Sequence, residues 1–248
     1  MRLATKLLRP SYKYIKQVRV EPSTCNNDIN KTKRKAFADT LLMHMARGDY
    51  IVYYDETNYN LYSRRTQGRA KVGQRVVAVL QLSKGANLQF KCAASTTDGL
   101  ILHRMQRGSI RMEENAEFAE AIYHAVKSLP SFQAEFCGKV VVIAPAHSQT
   151  ETRMPGHDDS VLLRLGPHLP MCNPIEGCFS VLKAKIKNFL ASRRSEMLTA
   201  GAHATLTEAR MDLLERAAVE SLSCLTAVLT TKMSLHYDLL KNTSTRES

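Results

Sequence analysis

Apolar residues recur along this chain in two rhythms, one helical and one extended. Over residues 31–47, Phe37, Leu41, His44 and Met45 return at helical spacing, with Asn30 placed to cap the helix and Gly48 to end it. The run Tyr50-Ile51-Val52-Tyr53-Tyr54-Asp55 is dense in β-formers and predicts a strand over 50–55. A second strand is expected at Arg75–Leu82, after a polar turn with Gly68 and Gly73, and a third at Leu88–Ala94, after Gly85-Ala86-Asn87. Together these read as an antiparallel meander. Glu113–Leu129 predicts a helix with Phe118, Ile122, Ala125 and Leu129 inside. Lys139–Ile143 lacks polar alternation and predicts a short strand buried on both faces, with another at Val161–Leu165. Pro174–Ala191 and Thr207–Leu240 are helical, the second long enough to break. That order predicts an α/β fold, in which three antiparallel strands and then two parallel ones form a mixed sheet flanked by helices.

Length and composition narrow the function. The 248 residues suit one large domain or a domain with an extension, and a hydrophobic fraction of 44% supports a real core. Net charge is +12, and residues 1–50 hold eleven Lys/Arg against four Asp/Glu, which is +7 of that excess. Such a balance points to a polyanion, nucleic acid foremost; the bland alternative is a basic protein with no such partner. Lys31, Lys33, Arg34 and Lys35 crowd a helix start, where the dipole disfavours cations. They read as a nuclear-import signal, a DNA contact or a solvated helix end. Six cysteines are scattered with no C-x-x-C, which favours reduced thiols in an intracellular protein. His168, Cys172 and Cys178 lie close in sequence but match no zinc spacing. No apolar run reaches the roughly 18 residues of a membrane span, so no membrane partner is expected.

Two carboxylates carry the candidate chemistry. Asp55 closes an apolar strand, at the strand edge where ligands gather in open α/β sheets. Glu176 follows Leu169-Pro170-Met171-Cys172-Asn173-Pro174-Ile175, with Asn173 as cap and Pro174 as first helical residue. A capping box accounts for Asn, Pro and Glu at this spacing. It does not account for the lysines below, because Ser180, Lys183 and Lys187 continue the same helix side. A carboxylate above stacked lysines suits a divalent cation beside a phosphate backbone.

The segments Tyr54-Asp55-Glu56-Thr57, Gly68-Arg69-Ala70-Lys71-Val72-Gly73-Gln74, Val142-Ile143-Ala144-Pro145-Ala146-His147-Ser148 and Asn173-Pro174-Ile175-Glu176 with Leu182-Lys183 together resemble the mariner-type DDE transposases. The resemblance covers roughly residues 45–190. It implies an RNase H-like fold, catalysis with Mg²⁺ or Mn²⁺, and DNA strand cleavage and transfer. Under it Asp55 and Glu176 are catalytic metal ligands, with His147 and Asn173 supporting the cleft. Arg64, Arg65, Lys71, Lys183 and Lys187 contact DNA. Phe179 stands where many relatives have Trp. The organisation it implies is a basic linker or remnant of a DNA-binding region over 1–30, a catalytic domain over 31–195 and a helical extension over 196–248. DNA is the expected partner, a homodimer is possible, the nucleus is the expected location, and no small-molecule substrate is foreseen.

Two departures from the family pattern matter. In the middle strand the pattern is an apolar run, Asp-Asn, then Ala-Pro-x-His, whereas here Ile143 passes directly to Ala144-Pro145-Ala146-His147. Residues 144–175 number 32, and an inserted Asp-Asn would restore close to the usual spacing between second and third acids. Glu151, Asp158 and Asp159 lie past the strand end and are poor substitutes. About fifty residues precede Asp55, too few for the family's pair of end-reading domains. The expectation is a DDE domain that is inactive or weakened. A non-catalytic nucleic-acid-binding protein derived from one is the alternative, and a generic RNase H-like nuclease is disfavoured by the same missing acid.

Overall fold

The computed structural model describes residues 27–60, 87–108, 113–145, 156–166 and 173–244. Its organising element is β1 (Tyr50–Asn60), paired along both edges. On one side runs β2 (Asn87–Ser95), antiparallel, and beyond it β3 (Gly99–Arg107), also antiparallel. On the other side run β4 (Val141–Pro145) and β5 (Ser160–Leu162), both parallel to β1's direction. The order β3-β2-β1-β4-β5 is the expected mixed sheet. The meander's third strand is Gly99–Arg107, which the sequence reading did not single out; the strand expected at Arg75–Leu82 lies outside the described residues. β1 also runs five residues past Asp55. Glu56-Thr57-Asn58 looks like loop by composition, yet β2 pairs with it out to Asn60.

Helices cover both faces. Helix α1 (Asp28–Arg47) packs Phe37 and Leu41 on Val142, Leu163 and Leu165. Its cap is Asn27, whose side chain accepts from the Asn30 amide at 2.8 Å, rather than Asn30 itself. Met45, expected inside, is exposed, because the helix meets the sheet along a narrow seam. Helices α2 (Glu113–Lys127) and α3 (Pro130–Glu135) cover the opposite face, where Phe118, Ile122 and Phe132 join Tyr50, Val52, Tyr54, Val141 and Ile143. Helices α4 (Pro174–Ser192), α5 (Leu206–Ser221) and α6 (Ala227–Ser244) share the first face with α1 and build the largest cluster around Tyr53, Phe90 and Cys92. The long C-terminal helix of the sequence reading is broken by a 3₁₀ turn at Leu222–Cys224.

Local hydrogen bonds fix where β1 begins. The Tyr50 hydroxyl meets Ser95 Oγ at 3.0 Å and donates to Asp98, which in turn accepts from Ser131 of α3 at 2.7 Å. Burial and the Asp98 carboxylate push that phenol well above the usual tyrosine range. His44 and Asp49 meet at 2.7 Å below the surface, and Asp49 accepts from the Val140 amide at 3.3 Å, which ties α1 to the start of β4.

One glycine is set by close approach. Gly99 has φ +77°, and a Cβ there would lie 2.6–2.8 Å from the backbone of Leu225, Thr226 and Ala227, where the Leu100 amide donates to the Leu225 carbonyl at 2.9 Å. Gly138 has φ +79° with open space around it. Gly138→Ala should therefore cost only the left-handed penalty, about 1–2 kcal/mol. Gly99→Ala adds a backbone clash and should cost roughly 3 kcal/mol or more in urea unfolding. Equal losses at the two positions would show that this approach is not tight.

Candidate active site

Alternation along β1 decides where Asp55 points. Tyr53 and Tyr59 lie in the α4–α6 cluster, and Tyr50, Val52 and Tyr54 in the α2 cluster. Asp55 therefore faces α4, opposite fully buried Cys92 in the β2 register, and is 3% exposed. Its Oδ1 accepts from the Glu56 amide at 2.7 Å. Glu176 reaches the same place from the first turn of α4. The Asn173 side chain caps that helix through the Ile175 amide at 3.4 Å, and Pro174 supplies the first turn's φ. Ile175, Cys178 and Phe179 sink into the core, which turns Glu176 outward to the surface. Its carboxyl group shares a hydrogen bond with that of Asp55. The α4 start rests on α6: a Cβ at Gly177 would come within 2.5 Å of Met233 Sδ, and Cys178 Sγ lies 3.9 Å from Thr230 Oγ1.

The electrostatics follow from this packing. Burial pushes the Asp55 carboxyl up to about 7; the Glu56 amide opposes this, while the hydrogen bond and charge of Glu176 and the charge of Glu56 add to it. Lys183 stands close by, half-buried. Burial holds its ammonium below the ordinary lysine range, with Glu176 and Asp55 pulling it back up and Lys187 lowering it further. Two adjacent carboxyl groups form a hard oxygen donor set, so the residues fit a divalent cation. They fit one such ion better than a pair. Glu56 belongs to the opposite face, 3.5 Å from Lys91 Nζ. Among the described residues no third His, Cys, Asp or Glu joins Asp55 and Glu176 in a cluster of ligand atoms within 4.8 Å.

The middle strand supplies the reason. Ala144 pairs with Tyr53 and Pro145 with Tyr54. Ala144 is 2% exposed and shares the α4-side cluster with Tyr53, so it faces the same way as Asp55. An acid directly after Ile143 would occupy the Ala144 position, on Asp55's face and one diagonal step away. Removing two residues preserves a period-two alternation, so every remaining side chain keeps its face. The strand keeps its pairing and its core face with Ala144 at that position.

Among the other sequence-predicted residues, Asn173 is 1% exposed, and its Nδ2 has no hydrogen-bond partner among the described residues. Lys187 is exposed on α4. Arg64, Arg65, Lys71 and His147 lie outside the described residues. Sequence reasoning missed the seat that Thr230 and Met233 give the α4 start; Gly177, a small residue inside a helix, was the one available signal.

Comparisons with known proteins bear on the family and the fold. The sequence model of a family described as DDE superfamily endonuclease matches residues 50–199. No curated protein sequence matches the chain. Among solved structures, the pre-cleavage Mos1 transpososome is similar with a TM-score of 0.54 at 15% identity, over 87% of this chain and 67% of that one. The mariner Mos1 paired end complex with Mg gives 0.56 at 14% identity, over 92% and 65%. The corresponding complex with Mn gives 0.51 at 14% identity, over 85% and 66%. This chain thus spans about two thirds of those chains and shares their RNase H-like α/β fold.

The raised Asp55 carboxyl makes a signed prediction. Its folded value, about 7, exceeds the ordinary 3.8. The folded state therefore keeps a proton that the unfolded chain gives up. Stability from this group is full below about pH 4 and is lost as pH rises to 7, by up to roughly 4 kcal/mol. In metal-free protein, Asp55→Asn should stabilise the fold by about 2–4 kcal/mol at pH 8 and change it little at pH 4, as urea unfolding would read. The same effect at both pH values would contradict the burial argument.

Proposed function

This chain belongs to the DDE superfamily endonucleases, and we propose that it is a DNA strand-cleavage and transfer domain of the DDE type whose chemistry is lost or severely weakened. The observation that carries this reading is one arrangement: Asp55 and Glu176 joined by a hydrogen bond beside Lys183, with Ala144 where the second acid would stand. Asp55 and Glu176 would hold Mg²⁺ or Mn²⁺; such an ion supplies charge neutralisation at a phosphodiester and activation of the attacking oxygen. Asp55 forms the buried floor. Glu176 faces the substrate, kept in aim by the Asn173 cap. Lys183 and Lys187 contact backbone phosphates, and Arg64, Arg65 and Lys71 extend that contact, with His147 supporting the cleft. Loss of one carboxylate removes charge compensation from the cation site and lowers the rate by several orders of magnitude.

The transpososome and paired-end complexes among the similar structures support DNA as partner; a homodimer and a nuclear location belong to the same proposal. The proposed organisation is a basic linker over 1–30, the DDE domain over 31–195 and a helical extension over 196–248. A second reading, nucleic-acid binding without catalysis, is favoured by one contrast. The ligand position is occupied by Ala144, while Lys183 and Lys187 keep their place along α4.

Nicking of supercoiled plasmid in Mg²⁺ or Mn²⁺ tests the proposal. The natural chain should give none above background. Inserting Asp-Asn between Ile143 and Ala144 should produce nicking that Asp55→Ala abolishes. Nicking by the natural chain that disappears in Asp55→Ala would overturn the loss of chemistry. Filter binding across a salt series tests the DNA contact. Affinity should survive chelation and Glu176→Ala, while Lys183→Ala with Lys187→Ala should lower the salt slope by about two.

A further inference from the structure

On the face of the sheet opposite Asp55 and Glu176, we propose that Glu120, His124 and His157 form a binding site for a borderline divalent transition ion of the Zn²⁺ class. Glu120 and His124 lie one turn apart on the outer side of α2, with Glu120 Oε1 4.0 Å from His124 Nε2. His157 arrives from the segment leading into β5. Its ring stacks on Tyr123 with centroids 4.2 Å apart and meets the His124 ring edge-on at 5.3 Å. One ligand atom from each of the three residues lies within 4.8 Å of the other two. A tetrahedral ion with bonds of about 2.0–2.1 Å holds its ligand atoms roughly 3.3 Å apart. The closure needed is about an ångström, within reach of rotation by these partly exposed side chains.

The backbone is already held in place. Two residues past His157, Asp159 accepts from the Tyr123 hydroxyl at 2.6 Å and from the Lys127 ammonium. Its carbonyl accepts from the Val141 amide at 2.9 Å. The His157 carbonyl accepts from the Ser160 amide at 3.1 Å and from Ser160 Oγ at 2.9 Å. Ligands on α2 and ligands on the β5 approach therefore keep their separation without the ion, which limits the ordering cost of binding. Asp159 also neutralises Lys127, the cation closest in sequence to the site. Two imidazoles with one carboxylate select Zn²⁺, Co²⁺ or Ni²⁺ over Mg²⁺, which prefers oxygen donors. Three protein ligands leave a fourth position to water. A bound ion fastens the β5 approach to α2. The sequence hid this site because its ligands come from two distant segments, and Glu120 with His124 reads as an ordinary helix pair.

Calorimetric titration of ZnCl₂ into the full chain, in an Asp55→Asn, Glu176→Gln background, tests the site alone. One saturable Zn²⁺ is expected, undisplaced by excess Mg²⁺, and CoCl₂ should give the visible absorption of a four-coordinate ion. His124→Ala and His157→Ala should each weaken Zn²⁺ by more than the roughly 10–100-fold that loss of a supporting partner costs. Cys137→Ser, which removes an exposed thiol, should leave the titration unchanged. His124 sits on an exposed helix face, so its variant carries the test should His157→Ala misfold. Absence of saturable binding, or binding unchanged in both histidine variants, would overturn the site.

Discussion

The candidate site depends on a strand that cannot slip. β1 is hydrogen-bonded on both edges, antiparallel to β2 and parallel to β4. A shift of one residue would drive Tyr53 and Tyr59 out of one core and Tyr54 out of the other. Two apolar layers thus enforce the direction of one carboxylate. Asp55 is buried because its neighbours on the strand must be, and that burial keeps its proton up to about neutral pH. Burial and ionisation pull against each other at this residue. Asp55 is costly to ionise, and a group that is costly to ionise gains most from a counter-charge.

Much of this was legible in the chain. Tyr50 to Asp55 reads as strand on composition alone, and Pro174 after Asn173 marks a helix start that the structure keeps. Gly48 ends α1 with φ +69°. Other features were not legible, for physical reasons. Asn27 and Asn30 can both cap, and only the first turn's register chooses between them. Residues 103–107 of β3 pair with β2 but cover little core, so their pattern carries no alternation to read. The pairing of the two acids was an inference from resemblance. Nothing in the spacing of Asp55 and Glu176 sets their distance; the β1 register and the sinking of Ile175, Cys178 and Phe179 do.

The middle strand separates architecture from chemistry. Val141, Val142 and Ile143 are wholly buried, and Ala144 fills its place beside Tyr53 without a cavity large enough to expose it. An alanine in a packed layer costs nothing in desolvation, whereas a third acid beside Asp55 would add repulsion to a site already short of counter-charge. Under the proposed reading, one position gives up a catalytic group and relieves the fold together.

Gly177 has a reach that its size conceals. It lies next to Glu176, and α6 presses Met233 against it while Thr230 sits beside Cys178. The tail of the polypeptide thus acts as the backstop of a carboxylate that belongs to a much earlier segment. Residues remote from the acid along the chain would be constrained as tightly as the glutamate they steady, and drift at Met233 would be felt first as a misaimed glutamate.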